Sequence, residues 1–125
     1  MSILRVSPKG EFVYQTDKIA SDKSISHRCA IFSLLSDKPS IVRNFLNAED
    51  TLCTLSISQS LGATVEKKDD TLIITPPKEL KEPSCILDCG NSGTAIRLLM
   101  GFLASLDGFY VLHGDKYLAS RPMKR

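Results

Sequence analysis

A glycine-rich turn at 90–97, with the sequence GNSGTAIR, has residue types that suit the binding of an anion. An apolar run at 85–87 precedes the turn and apolar residues recur at helical spacing after it, so the pattern predicts strand, turn and helix. We expect Asn91 to cap this helix. No acidic residue lies between Asn91 and Leu106, which leaves the first-turn N–H groups available to an external anion. An ordinary tight turn is the alternative, because short glycine motifs have many false positives.

The stretch SDKSISHR at 21–28 predicts the start of another helix, with cations near its positive end. We expect Ser21 to be the N-cap and Asp22 to lie in the first turn. Helical spacing predicts a core-facing apolar row and an opposite polar face. The apolar row consists of Ile25, Cys29 and Phe32, and the polar face consists of Lys23, Ser24, His27 and Arg28.

The cations of this helix start indicate a second place where an anion could bind. Lys23 and Arg28 are unfavourable against the helix dipole unless an anion lies beside them. A hydroxyl from Ser24 and the two-pronged guanidinium of Arg28 together suit a phosphate. The alternative is the solvated face of an amphipathic helix. We expect His27 to be a neighbour on this face rather than a catalyst, because its pattern is unspecific.

A third group of cations lies in the last ten residues, which contain no acid. It consists of Lys116, Arg121, Lys124 and Arg125. Read alone, such a terminal run of charge is typical of a solvated tail.

The composition narrows the class of protein. A chain of 125 residues, 42% hydrophobic and 24% charged, fits one soluble globular domain or part of one. Its net charge of +2 is too small to indicate nucleic-acid binding, and its N-terminus has no apolar stretch typical of a signal peptide or membrane span. The four cysteines lack metal-ligand spacing, so we expect reduced thiols, no metal and a cytoplasmic protein. They are Cys29, Cys53, Cys85 and Cys89.

The elements that must position these stretches are predicted as alternating strands and helices. They are two extended runs within 1–20, a strand at 40–46, a helix from a turn at 47–50 to a stop at Gly62, a hairpin of strands 63–68 and 71–75 joined at Asp69-Asp70, and a strand at 109–112. This order predicts an α/β fold with mixed sheets (α+β).

Three stretches taken together resemble the EPSP synthase family of enolpyruvyl transferases. They are Lys23-Ser24 with Arg28 on the same helix start, the turn at 90–97, and Ser120-Arg121-Pro122-Met123. Asn44-Phe45-Leu46 with Asp50, and the helix end at 61–63, match the family as well. The resemblance runs along nearly the whole chain but covers only the N-terminal part of a family member.

The resemblance implies a domain built from repeated β-α-β-α-β-β units, with the active site in a cleft between two such domains. Residues 21–125 would form the first, incomplete part of the N-terminal substrate-binding domain. Residues 1–20 would contribute strands that pack with the other domain. The C-terminal remainder of the same enzyme would then be a required partner.

The resemblance also implies a function, the transfer of the enolpyruvyl group of phosphoenolpyruvate to the 5-hydroxyl of shikimate 3-phosphate. This is a step of aromatic amino acid biosynthesis that needs no metal, organic cofactor, nucleic acid or membrane. The family's key carboxylates belong to its C-terminal half, so we expect the 125-residue chain alone to be inactive. Glyphosate competes for the phosphoenolpyruvate pocket in the family, and the room beside Gly93 implies a sensitive enzyme.

The implied site residues are assigned position by position from the family motifs. Shikimate 3-phosphate would be bound by Lys23, Ser24 and Arg28. Phosphoenolpyruvate would be bound by Lys23, Asn91, Gly93, Thr94 and Arg121. As catalytic residues, Lys23 is a candidate proton carrier and Asp50 would organise the site.

Two departures from the family pattern bear on the anion sites. Ser92 stands where alanine is commoner, and Asp22 puts a negative charge beside an anion site. Asp22 should weaken anion binding unless Lys23 or Arg28 engages it.

Two other functions are alternatives. The related transferase that acts on UDP-N-acetylglucosamine typically has asparagine where Ser24 stands, and a reactive cysteine before its arginine. No cysteine lies between Gly90 and Arg125, so this function is a weaker alternative than EPSP synthesis. A non-catalytic phosphate-binding domain would need only the helix-terminus sites.

Overall fold

The computed structural model describes residues 3–8 and 10–123, which contain two small sheets, four α-helices and one short 3-10 helix. In chain order the elements are α1 (Lys23–Phe32), the 3-10 helix (Ser33–Leu35), β1 (Ser40–Arg43), α2 (Glu49–Ser60), β2 (Thr64–Lys68), β3 (Thr71–Thr75), β4 (Leu87–Asp88), α3 (Gly93–Leu103), β5 (Leu112–His113) and α4 (Lys116–Ala119). The predicted α/β class is confirmed. Antiparallel and parallel pairing both occur, but in separate sheets rather than within one mixed sheet.

The larger sheet is antiparallel, with strand order β1-β3-β2. Its central strand, β3, alternates, so that Leu72 and Ile74 point into the core. The predicted hairpin is confirmed, and Asp69 lies at its turn with a φ of 51°. The smaller sheet is parallel and pairs Leu87 of β4 with Leu112 of β5.

Helix α2 ends where the sequence predicts, at a glycine stop. Gly62 has a φ of +108° and directly follows Leu61, the C-cap residue of α2. Its N–H donates to the carbonyl of Gln59, and the N–H of Ala63 donates to that of Ser58. This Schellman motif satisfies carbonyls that the end of the helix would otherwise leave unpaired.

The buried face of α1 differs from the prediction. Ile25 and Phe32, expected in the core, are 62% and 49% exposed, whereas His27, expected on the polar face, is fully buried. The physical reason is that α1 and α2 are joined by hydrogen bonds on the face of α1 that packs against α2. Ser58 of α2, for example, donates to the carbonyl of Ala30 at 3.0 Å. Hydrophobic periodicity cannot detect an interface of this kind.

Helix caps and strand ends also differ from the prediction. Asp22, not Ser21, caps α1, and its carboxylate accepts from the N–H of Ile25 at 2.7 Å. The strand expected at 40–46 ends at Arg43, because Asn44 turns the chain with a φ of 56°. The strand expected at 85–87 is β4, which begins at Leu87, and the one expected at 109–112 is β5, which begins at Leu112.

The N-terminal stretch forms no strand in its described residues, 3–8 and 10–20. Its apolar side chains are exposed, among them Ile3, Leu4, Phe12 and Val13. The expectation that 1–20 pairs with another domain stays a prediction, and Met1, Ser2 and Lys9 lie outside the described residues. Across the described residues, no helix combines the length and apolarity that a membrane crossing requires.

Candidate anion-binding site

The glycine-rich turn leaves β4 and presents the start of α3. Ser92, rather than the predicted Asn91, caps α3, and its Oγ accepts from the N–H of Ala95 at 3.1 Å. The N–H groups of Gly93 and Thr94 have no acceptor among the described residues. Two unpaired donors at the positive end of an eleven-residue helix are groups of the kind that bind anions, which makes this helix start a candidate site.

Lys23, in the first turn of α1, forms an ion pair with Asp50, in the first turn of α2. The other carboxylate oxygen of Asp50 accepts from the backbone N–H of Asn91 at 3.3 Å. Burial by itself raises the pKa of Asp50, but the hydrogen bond and charge of Lys23, with the Asn91 N–H, outweigh it and hold that pKa below its usual value. Asp50 is therefore ionised at neutral pH, and it connects α1, α2 and the turn.

Asn91 makes side-chain bonds to two other segments, which is why it cannot cap α3. Its amide Nδ2 donates to Oδ2 of Asp115 at 2.8 Å. Its Oδ1 accepts from Nη2 of Arg121, so the asparagine aims this guanidinium at the turn. The C-terminal stretch therefore contributes to the same site instead of forming a solvated tail, although Lys124 and Arg125 of that stretch lie outside the described residues.

Asp115 is a residue that the sequence reasoning missed. Its Oδ1 accepts from the N–H of Leu118 at 2.7 Å, so it caps α4, a helix that the pattern did not predict. Its backbone N–H donates to the carbonyl of Gly90 at 2.9 Å. Aspartate is a preferred N-cap residue, so Asp115 before the stretch 116–119 is the sequence signal that could have revealed both the helix and this residue.

Gly93 is flanked by two guanidinium groups. A Cβ built at this position would lie 2.8 Å from Nη1 of Arg97 and 3.2 Å from Nη1 of Arg121. Arg97, to which the sequence reasoning gave no role, donates to the carbonyls of Gly93 and Pro122, each at 3.2 Å. Glycine thus leaves room for the two cations to approach the start of α3.

Ser24 and Arg28 lie on α1 with Lys23, but no hydrogen bond or ion pair joins either of them to the turn within the described residues. Nη1 of Arg28 donates to the carbonyl of Ser24 at 3.1 Å, and its side chain is exposed. Neither Lys23 nor Arg28 engages Asp22, which is occupied as the helix cap. The concern that Asp22 weakens anion binding therefore stays a prediction.

His27 is buried between α1, α2 and the turn, so its predicted place on the solvated polar face was wrong. Its Nδ1 lies 2.8 Å from Oγ1 of Thr54, and its Nε2 lies 3.0 Å from Oγ of Ser92. The hydroxyl partners satisfy the ring, which is the physical reason that a histidine can lie here.

The described residues contain no group of three or more His, Cys, Asp or Glu side chains that could hold a metal ion. Cys89, just before the turn, is fully buried, and burial raises the pKa of its thiol to about 12. It is protonated at neutral pH and is therefore no nucleophile. The chemistry of this site comes from its cations and its backbone donors.

Comparison with known proteins gives one consistent result. The family model for EPSP synthase (3-phosphoshikimate 1-carboxyvinyltransferase) matches residues 11–125. The 3-phosphoshikimate 1-carboxyvinyltransferase of Campylobacter concisus is 68% identical over 109 residues, which are 87% of this chain and 26% of that protein. The enzyme of the same name from Nitratiruptor sp. is 57% identical over 125 residues, which are 100% of this chain and 29% of that protein.

Among solved structures, the EPSP synthase from Acinetobacter baumannii aligns with a TM-score of 0.77 and 37% identity. The alignment covers 84% of this chain and 24% of that one. The chain spans about a quarter of the length of the curated relatives it matches.

Proposed function

The chain belongs to the EPSP synthase family, and from that premise we propose that it supplies one part of an active site that transfers the enolpyruvyl group of phosphoenolpyruvate to the 5-hydroxyl of shikimate 3-phosphate. The observation that carries the proposal is the convergence of Lys23, Arg121 and the two unpaired N–H groups at the start of α3. These groups come from three stretches that are far apart in the sequence, and their positive charges and N–H donors suit an anion. Both substrates carry a phosphate and a carboxylate, so a site with several cations suits them.

We assign the phosphoenolpyruvate phosphate to the start of α3. The N–H groups of Gly93 and Thr94 would bind its oxygens, with Arg121 and Lys23 neutralising its charge. Asn91 already bonds Arg121 and Asp115 through its side chain, so we assign it to holding the arginine in place. A direct contact between Asn91 and the substrate stays a prediction.

Shikimate 3-phosphate is assigned to the exposed side of α1. Lys23 and Arg28 are exposed on α1, and Ser24, which directly follows Lys23, is half-buried. The guanidinium of Arg28 makes one hydrogen bond to its own helix, at an exposed position where water already competes. If the Arg28 side chain released this bond, its guanidinium could bind a phosphate through two hydrogen bonds and its charge.

The reaction requires proton transfer at a carbon and at an oxygen. The 5-hydroxyl adds to the central carbon of phosphoenolpyruvate while the methylene carbon gains a proton. Loss of phosphate and of a proton then restores the double bond. We propose Lys23 as one proton carrier, held in place by the Asp50 carboxylate. No step requires a metal or an organic cofactor.

The remaining acid and base groups are proposed to come from the rest of the enzyme, as is the opposite wall of the cleft. We also propose that the enzyme acts in the cytoplasm on freely diffusing substrates. Neither a nucleic acid nor a membrane has a part in this chemistry.

The proposal is tested by comparing the 125-residue chain with a chain of the relatives' full length that contains it, called the full-length enzyme below. The full-length enzyme should release inorganic phosphate from phosphoenolpyruvate only when shikimate 3-phosphate is present, and the 125-residue chain should release none. Phosphate release with UDP-N-acetylglucosamine in place of shikimate 3-phosphate would favour the related transferase. No release with either acceptor, while phosphate still binds, would favour a non-catalytic phosphate-binding domain.

A further inference from the structure

His27 is a buried polar group that the proposed reaction does not use. Its side chain is fully buried, yet both ring nitrogens have partners, one on α2 and one at the cap of α3. Thr54 is the partner of Nδ1 and Ser92 is the partner of Nε2. The ring therefore joins three segments at the base of the candidate anion site.

The hydrogen bonds around the ring favour one tautomer. Thr54 donates its hydroxyl hydrogen to the carbonyl of Asp50 at 3.1 Å, so it can only accept from His27. The hydrogen of the ring is then on Nδ1, and the lone pair on Nε2 accepts from the hydroxyl of Ser92. The opposite tautomer would break the Thr54–Asp50 bond and leave the Ser92 hydroxyl without an acceptor.

The ring is neutral in this arrangement. Burial, followed by the charge of Lys23, lowers the pKa of His27 below its usual value against the opposing effect of Asp50, and Arg28 adds to the lowering. A protonated ring would donate from both nitrogens and could no longer accept from Ser92. The Ser92 Oγ oriented by this bond accepts from the N–H of Ala95, next to the N–H groups of Gly93 and Thr94 that have no acceptor among the described residues.

The place of His27 in the chain gives this bond a consequence for the site. Lys23 lies one helical turn before His27 on α1, and Ser92 directly precedes Gly93. We propose that His27 is a positioning residue of the anion site, whose bond to Ser92 sets the start of α3 at a fixed distance from Lys23. The proposal rests on the proposed function, because it concerns binding of the phosphoenolpyruvate phosphate at that site.

Two amide substitutions separate the two bonds of the ring. His27→Asn places an amide near the position of Nδ1, so it can keep the bond to Thr54 and loses the bond to Ser92. His27→Gln reaches the position of Nε2, so its amide oxygen can accept from Ser92 while the bond to Thr54 is lost. Each variant gives up one buried hydrogen bond, and melting temperatures measured beside the kinetics separate a loss of stability from an effect on the turn.

Steady-state kinetics of the full-length enzyme should separate the variants. His27→Asn should raise the KM for phosphoenolpyruvate about five- to tenfold with kcat changed less than about twofold, and His27→Gln should stay within about twofold of wild type in both constants. Ser92→Ala should raise this KM at least as much as His27→Asn, because it also removes the cap on Ala95. Adding His27→Asn to Ser92→Ala should raise the KM no further, because the His27–Ser92 bond is already absent. Equal KM values for the Asn and Gln variants, or KM values that follow melting temperature, would overturn the proposal.

A second measurement does not depend on turnover. Nitrogen NMR of histidine-labelled full-length enzyme should show His27 with a protonated Nδ1 and an unprotonated Nε2, and Ser92→Ala should shift the Nε2 signal. The opposite tautomer would overturn the proposal even in an active enzyme. If the wild type does not use phosphoenolpyruvate, the proposed function is wrong, but the positioning role of His27 is still tested by phosphate binding. Weaker binding of inorganic phosphate by the Asn than by the Gln variant would then still support the positioning role, and equal binding would overturn it.

Discussion

Replacing Lys23 by methionine in the full-length enzyme should lower kcat/KM by roughly 100- to 1,000-fold or more, the range found when one preorganised charge-stabilising group is removed. Methionine keeps the length and the apolar stem of lysine while removing the ammonium group. The loss should exceed that of any neighbouring substitution, because Lys23 is proposed to neutralise both substrates and to carry a proton. Lys38→Met is the matched control, since Lys38 is exposed and its side chain has no described partner in the site.

Stability measurements separate this loss from misfolding. Without the Lys23 ammonium, the mostly buried Asp50 carboxylate loses its charged partner, so Lys23→Met should be less stable than wild type. Adding Asp50→Asn should recover stability and should not recover activity. If Lys23→Met retained turnover within about tenfold of the Lys38→Met control, Lys23 could not have the central role given to it here.

Gly93→Ala should raise the KM for phosphoenolpyruvate about tenfold or more while leaving the free energy of unfolding nearly unchanged. The added methyl group would lie 2.8 Å from Nη1 of Arg97 and 3.2 Å from Nη1 of Arg121, so both guanidinium groups must move. They are the far ends of flexible side chains, which makes the movement inexpensive for folding. The same movement displaces Arg121 and fills space that the phosphate is proposed to occupy.

Gly101→Ala is the matched control within the same helix. A Cβ at Gly101 meets nothing within 4 Å, and the position is exposed. This substitution should raise the stability of the protein by up to about 1 kcal/mol, because alanine favours the helix interior, and should leave the KM unchanged. An unchanged KM in Gly93→Ala, measured beside this control, would contradict the assignment of the phosphate to the start of α3.

Local signals in the sequence were sufficient for much of the fold. The stop at Gly62 and the hairpin turn at Asp69 were predicted because glycine and aspartate tolerate the backbone angles that those turns require. The residues of the site were identified mainly through resemblance to a family. The structure brings Lys23, Asp50 and Arg121 together around the turn, although they are far apart in the chain.

The errors share a physical origin in contacts between distant segments. The sequence pattern predicts His27 at the surface, because it does not show that Thr54 and Ser92 lie beside the ring. The pattern likewise predicts Asn91 as a helix cap, because it does not show that the side chain bonds Asp115 and Arg121. Polar side chains that find partners far along the chain become buried, and no periodicity within one helix can report those partners.

Lys23, Arg121 and the unpaired N–H groups of Gly93 and Thr94 are proposed to form one anion site. The most direct test is an NMR titration of the full-length enzyme, labelled with ¹⁵N at glycine and threonine. Inorganic phosphate is added in the presence of shikimate 3-phosphate, a mixture that lacks the enolpyruvyl donor. The amides of Gly93 and Thr94 should shift together with one affinity, and Arg121→Gln should weaken that affinity. Phosphate binding detected by calorimetry with both amides unmoved would contradict this proposal.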